Sequence, residues 1–190
     1  LFQLEILSTS LVELQPSTSL MEDFKEKNSR TGKWSQENAG GNISERLFTS
    51  NPFYYITVTQ PNTQIFCQLT CPLPSVPLGS YAFYLGEKTK ALNELSQADF
   101  DTCVCNNVFS CKKNSLYIDC ANKTGRYLVV PCTFNSRTFC DFVLGISSTK
   151  PVDIIEGANI NYTFSRHFTL GLVNPRNYNF ANTPTTLSEL

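Results

Sequence analysis

From Asn51 onward, proline, glycine and asparagine cut the chain into runs of five to nine residues in which apolar side chains recur at every second position. That period belongs to a strand with one buried face, not to a helix, whose apolar positions return every three or four residues. The runs are Phe53–Gln60, Gln64–Cys71, Ser80–Leu85, Leu116–Cys120, Arg126–Thr133, Phe139–Ser147 and Val152–Glu156. Short strands at this spacing, each closed by a turn signal, predict an all-β fold, an antiparallel β-sandwich. The 14 Phe and 8 Tyr suit such sheets, while one Met and one His leave little for His-based catalysis or a His-rich metal site.

The same parity sorts the eight cysteines. In Ile65-Phe66-Cys67-Gln68-Leu69-Thr70-Cys71, alternation puts Cys67 and Cys71 on the face of Ile65 and Leu69. It aligns Cys120 with Leu116 and Ile118, Cys132 with Leu128 and Val130, and Cys140 with Phe142, Leu144 and Ile146. Five thiols on apolar faces read as reduced, buried core residues of a reducing compartment, because a free Cys packs as a small hydrophobe. A disulfide-bonded secreted domain would also carry an even cysteine count and sequons such as those at Asn42, Asn122 and Asn161, so a free-thiol count separates the two readings. Cys103, Cys105 and Cys111 lie in a less regular stretch, where C-x-C plus a third Cys is a zinc alternative without the usual paired C-x2-C spacing.

Outside the strand region the signals are weaker. Leu1 to Leu14 alternates loosely up to a break at Pro16. Ser19–Asn28 reads as a short helix, with Ser19 as N-cap, Glu22 three residues on, and Lys25 and Lys27 near its end. Lys90 to Asp101 reads as a short helix or an irregular insertion. The chain thus divides into an N-terminal extension over 1–31, a sandwich over 32–157, and a C-terminal part over 158–190 with extra strands in Asn159–Phe168 and an extended tail. Leu1-Phe2-Gln3-Leu4-Glu5 lacks the basic-then-apolar order of a signal peptide, and a start at Leu1 fits a fragment. No window approaches the ~18 apolar residues of a spanning helix. With 15 Lys+Arg against 16 Asp+Glu, the net charge of −1 offers no pull on nucleic acid or an anionic membrane. No phosphate-binding glycine pattern points to a small-molecule substrate.

The most distinctive residues come in a fixed order. Gly32-Lys33-Trp34 is followed by Asn38-Ala39-Gly40-Gly41 and Asn51-Pro52-Phe53-Tyr54, then by Gly125-Arg126-Tyr127, Val130-Pro131-Cys132-Thr133-Phe134 and Asp141-Phe142-Val143-Leu144. Tandem glycines permit positive φ and close backbone approach, and Trp34 is a large apolar plug for one end of a sandwich. The ordered set resembles the C2-like domain III of calpains, closest to the calpain-7/PalB type, over Gly32 to about Ile155. Asn42 stands where that family often has Cys, and Cys140 where a Gly usually precedes the F-x-L strand.

The resemblance implies a non-catalytic module, with Trp34, Gly40, Gly41, Pro131 and Phe134 as structural residues. The calpain protease core carries its nucleophile in a G-x-C-W setting with a His base. Here Trp34 follows Lys33, and the single histidine, His167, lies outside the resembling region. A C2-like domain also implies a calcium-dependent membrane alternative, for which Asp99 and Asp101 form the one D-x-D pair, thin for a cation that wants six or more oxygens. No cofactor is expected. Family members brace the protease core or mediate docking, so a regulatory domain of a calpain-type protease is the other alternative. The expected partners are proteins of a larger cytoplasmic assembly, cytoskeletal or axonemal by analogy with calpain-like non-enzymes. The tail Asn174–Leu190 has too few apolar residues to offset its ordering entropy of roughly 1–2 kcal/mol per residue. That marks Val173, Tyr178 and Phe180 as docking anchors, unless the tail folds back along a sheet edge of its own sandwich.

Overall fold

The computed structural model describes residues 23–101, 103–106 and 108–159. Its strands are β1 (Glu26–Trp34), β2 (Tyr54–Val58), β3 (Gln64–Thr70), β4 (Pro77–Gly86), β5 (Cys103–Asn106), β6 (Ser110–Cys111), β7 (Lys113–Asp119), β8 (Gly125–Thr133), β9 (Cys140–Ser148) and β10 (Val152–Glu156). A short helix, α1 (Gln97–Asp101), lies between β4 and β5. The strands form two antiparallel sheets packed as a sandwich: a four-stranded sheet in the order β1-β9-β3-β7, and a six-stranded sheet in the order β10-β2-β8-β4-β5 with β6 also on β4.

Alternation builds the space between the sheets. Strands β3 and β9 bury every second residue. From them Ile65, Cys67, Leu69, Phe142, Leu144 and Ile146 meet Ile56, Val58, Ala82, Tyr127 and Val129 of the opposite sheet. Each large apolar side chain so buried contributes about 1.5–3 kcal/mol. Strand β8 and most of β4 are buried on both faces. On the far side of the six-stranded sheet, Tyr81, Phe83, Leu128, Val130 and Cys132 form a second cluster beneath Phe48 and Leu92, each from a single-turn 3-10 helix (Phe48–Ser50 and Leu92–Glu94).

The seven runs read from alternation all contain strands, with ends displaced by up to three residues. The helix expected over Ser19–Asn28 does not form in its described part. Glu26–Asn28 belong to β1, which pairs residue for residue with β9 from Glu26↔Ser148 to Trp34↔Cys140. A continuous ladder along β9 outweighs the local capping signal of Ser19 and Glu22, and Gly32 and Thr31 favour no helix to compete with it. The sandwich therefore reaches back to Glu26, into residues assigned to the N-terminal extension. Expectations for Leu1–Leu14 and for Ile160–Phe168 lie outside the described residues.

Cys67, Cys120, Cys132 and Cys140 are buried, but Cys71 is only partly so, because β3 ends at Thr70 and Pro72 turns the chain away. Cys132 sits in the outer cluster and not between the sheets. Cys71, Cys111, Cys120, Cys132 and Cys140 are free thiols.

Candidate functional site

Three crossovers between the sheets meet at one end of the sandwich: residues 35–53 after β1, 71–76 after β3, and 134–139 after β8. Trp34 closes that end from below. Its ring is fully buried and lies 4.4 Å from the Phe142 ring at 36°. A Cβ at Gly32 would overlap Phe142, so the glycine of Gly32-Lys33-Trp34 leaves the space that the Phe142 ring fills. Trp34 shares the inter-sheet core with Ala39, one residue before the glycine pair, and its indole Nε1 has no hydrogen-bond partner among the described residues.

The glycine pair is held by Asn51, a side chain 1% exposed. Gly40 N donates to Asn51 Oδ1 at 3.1 Å, and Asn51 Nδ2 donates to Gly41 O at 2.8 Å and to Phe48 O at 2.9 Å. A Cβ at Gly40 would strike the Leu47 carbonyl, and Gly41 adopts φ +77°, where a side chain is strained. The next crossover is tied in as well. Arg137 N donates to Ala39 O at 2.8 Å, Asn42 Nδ2 to Phe134 O at 2.6 Å, and Phe134 N to Pro77 O at 3.0 Å. Phe134 therefore acts through its backbone, while its ring is 48% exposed and touches Phe109 edge-on at 5.2 Å. Pro131 is buried within β8 opposite Ser80.

Of the large apolar side chains that face solvent on the crossovers of this braced end, Leu47, Leu73, Phe134 and Phe139, two lie together, Leu47 at 40% and Phe139 at 51% exposure. With Gln36 and Arg137 they line a cleft of about 460 Å³. A second cleft, of about 760 Å³, opens between the start of β9 and the ends of β1 and β3; Lys33, Cys71, Asp141 and Val143 are among its lining residues.

Asp99 and Asp101 stand elsewhere, in the cover over the outer cluster. Asp99 Oδ2 accepts from Lys90 Nζ at 2.6 Å and from the backbone N of Ser96 at 2.7 Å. Those contacts, the Lys90 ammonium foremost, pull its carboxyl down from 3.8 to about 2. Asp101 Oδ1 accepts from Gln97 Nε2 at 2.9 Å. The pair thus anchors the α1 turn and does not converge on one point. Cys103 Sγ donates to Ala82 O at 3.2 Å, Cys111 is exposed, and the Cys105 side chain lies outside the described residues, as do Val173, Tyr178, Phe180 and His167. Among the described residues no three His, Cys, Asp or Glu side chains are grouped to hold a metal ion.

Sequence reasoning placed Asn51 inside a motif but gave it no task. Its burial among carbonyls and a backbone N–H is a tertiary fact, and only the neighbouring glycines hinted at it. Leu47 carries no signal, since single apolar residues in loops are common, and Phe139 reads as the first residue of a strand that begins at Cys140.

Residues 30–147 match the family model described as calpain large subunit, domain III. No curated protein matches the chain.

Proposed function

Because the chain belongs to the family of calpain large-subunit domain III, we propose that it works as a non-catalytic β-sandwich that docks on other proteins of a larger intracellular assembly. The braced end carries this reading. Leu47 and Phe139 flank a cleft with Arg137, on crossovers fixed by the bonds of Asn51 and Asn42. Exposed apolar side chains with a polar rim are what a protein partner buries. The fitting occupant is a polypeptide segment that places an apolar side chain between Leu47 and Phe139 and a carboxylate on Arg137. Within this reading the calpain-7/PalB type rests on motif order, and a cytoskeletal or axonemal setting rests on family analogy.

The test compares wild type with a Leu47→Ser/Phe139→Ser variant by cross-linking in native extract. The expected result is a discrete set of cross-linked proteins that the variant loses while its melting temperature stays unchanged. The same set from both proteins overturns the reading. So do peptide hydrolysis by the purified chain and calcium-dependent sedimentation with anionic vesicles, the latter in favour of a C2-type membrane module.

A further inference from the structure

Cys71 follows the last residue of β3 and Cys140 opens β9, and these strands are hydrogen-bonded neighbours up to the Thr70↔Val143 pair. Both side chains belong to the rim of the inter-sheet core, Cys140 buried within it and Cys71 packed against it half-exposed. Cys71 Sγ donates to Leu73 O at 3.1 Å. The Thr70↔Val143 register leaves Cys71 and Cys140 diagonal to each other at the ends of the two adjacent strands, on the inward side they share with Phe142. Cys71 also lines the 760 Å³ cleft beside Lys33, Pro72 and Asp141, so one thiol of the pair meets solvent while the other waits behind it.

We propose that Cys71 and Cys140 form a thiol-oxidation site that takes a small peroxide and closes to an intramolecular disulfide. In the first step the Cys71 sulfur attacks one oxygen of hydrogen peroxide. An S–O bond forms and the O–O bond breaks. The thiol proton leaves with the departing oxygen as water, and Cys71 becomes a sulfenic acid. In the second step the Cys140 sulfur attacks the Cys71 sulfur. The S–S bond forms, the S–O bond breaks, and the hydroxide leaves as water with the Cys140 proton. Two thiols lose two electrons in all, and one peroxide is reduced to two waters. Burial first, and then the neighbouring Cys71 sulfur, push the Cys140 thiol from 9.0 up to about 11. The order follows from access: peroxide reaches Cys71 through the cleft, and Cys140 resolves. Thioredoxin-type reductants reopen the bond by the reverse exchange.

Peroxide treatment of the purified chain, followed by alkylation and a non-reducing peptide map, tests the site. The expected product has lost two hydrogens and carries a peptide joining Cys71 to Cys140, removed by dithiothreitol. In a Cys140→Ala variant the cross-link is lost and Cys71 is labelled instead by a sulfenic-acid probe such as dimedone. In Cys71→Ala neither product forms. Full alkylation of both Cys71 and Cys140 under conditions that already oxidise the exposed Cys111 overturns the proposal. So does conversion of wild-type Cys71 to sulfinic acid with no cross-link. The wild-type map decides the matter alone if a variant fails to fold.

Discussion

Between the sheets the apolar residues come from alternate positions of paired strands, and the packing is strand against strand. Across the six-stranded sheet, the outer cluster is covered instead by irregular chain: the single-turn helices with Phe48 and Leu92, the helix α1, and the segment between them. That cover rests on few anchors. Phe100 meets Phe83 at 5.5 Å and Phe48 at 5.9 Å, Tyr55 OH donates to Lys90 O at 2.9 Å, and Lys90 pairs with Asp99. A ladder of main-chain bonds shares its load over many residues, whereas a cover held by a few rings opens locally before the sandwich unfolds.

The largest effect is expected at the inter-sheet core. Trp34→Ala removes a fully buried ring and the support of Phe142, and should cost about 3–5 kcal/mol, read as a lowered urea midpoint for the whole domain. An unchanged midpoint would mean that this end does not belong to the cooperative unit. A smaller loss is expected in the cover. Phe100 is only partly buried, so Phe100→Ala should cost about 1–2 kcal/mol, with proteolytic cleavage between residues 87 and 109 appearing well below the global transition. Cleavage no faster than in wild type would erase the distinction between the two clusters.

The smallest effect concerns acid. Asp99 is held in its charged form by Lys90 and Ser96, with a folded value of about 2 against 3.8 for the free group. A depressed carboxylate contributes stability above 3.8, and this is lost as pH falls from there toward about 2. The pair is part-exposed, so the contribution is at most about 1 kcal/mol. Asp99→Asn should loosen amide exchange in residues 90–101 at neutral pH and remove the further loosening that wild type shows on acidification. Equal acid sensitivity in the two proteins would show that Asp99 does not fasten the cover.

The same contrast explains what could be read from the sequence. Gln64–Cys71 and Phe139–Ser147 announce themselves because one face is wet, and parity places Cys67 and Cys140 correctly. In Tyr127–Thr133 both faces are apolar, so parity groups the residues correctly but does not tell which face meets the other sheet. There Cys132 aligns with Leu128 and Val130 on the outer side, while Tyr127 and Val129 face the core. Strand β1 was missed because Glu26–Lys33 has almost no apolar alternation, and its partner lies far along the chain. Strands β5 and β6 are four and two residues long and take their register from β4, which local sequence does not encode. The fold class and the structural end at Trp34 were legible. The clefts were not, since one is lined from two crossovers and the other by the ends of three strands, all far apart in the chain.

In the docking proposed above, Asn51 has a consequence for association. Its amide spends both hydrogen-bonding groups on the backbone of the 35–53 crossover, so the segment bearing Leu47 is already fixed before any partner arrives. Ordering a side chain on binding ordinarily forfeits about 0.5–1.5 kcal/mol of affinity apiece, and a surface rigid beforehand forgoes much of that loss. Asn51→Ala would then weaken an interaction it never touches, chiefly by slowing productive encounters rather than by speeding dissociation, because the free protein would spend part of its time with Leu47 out of position.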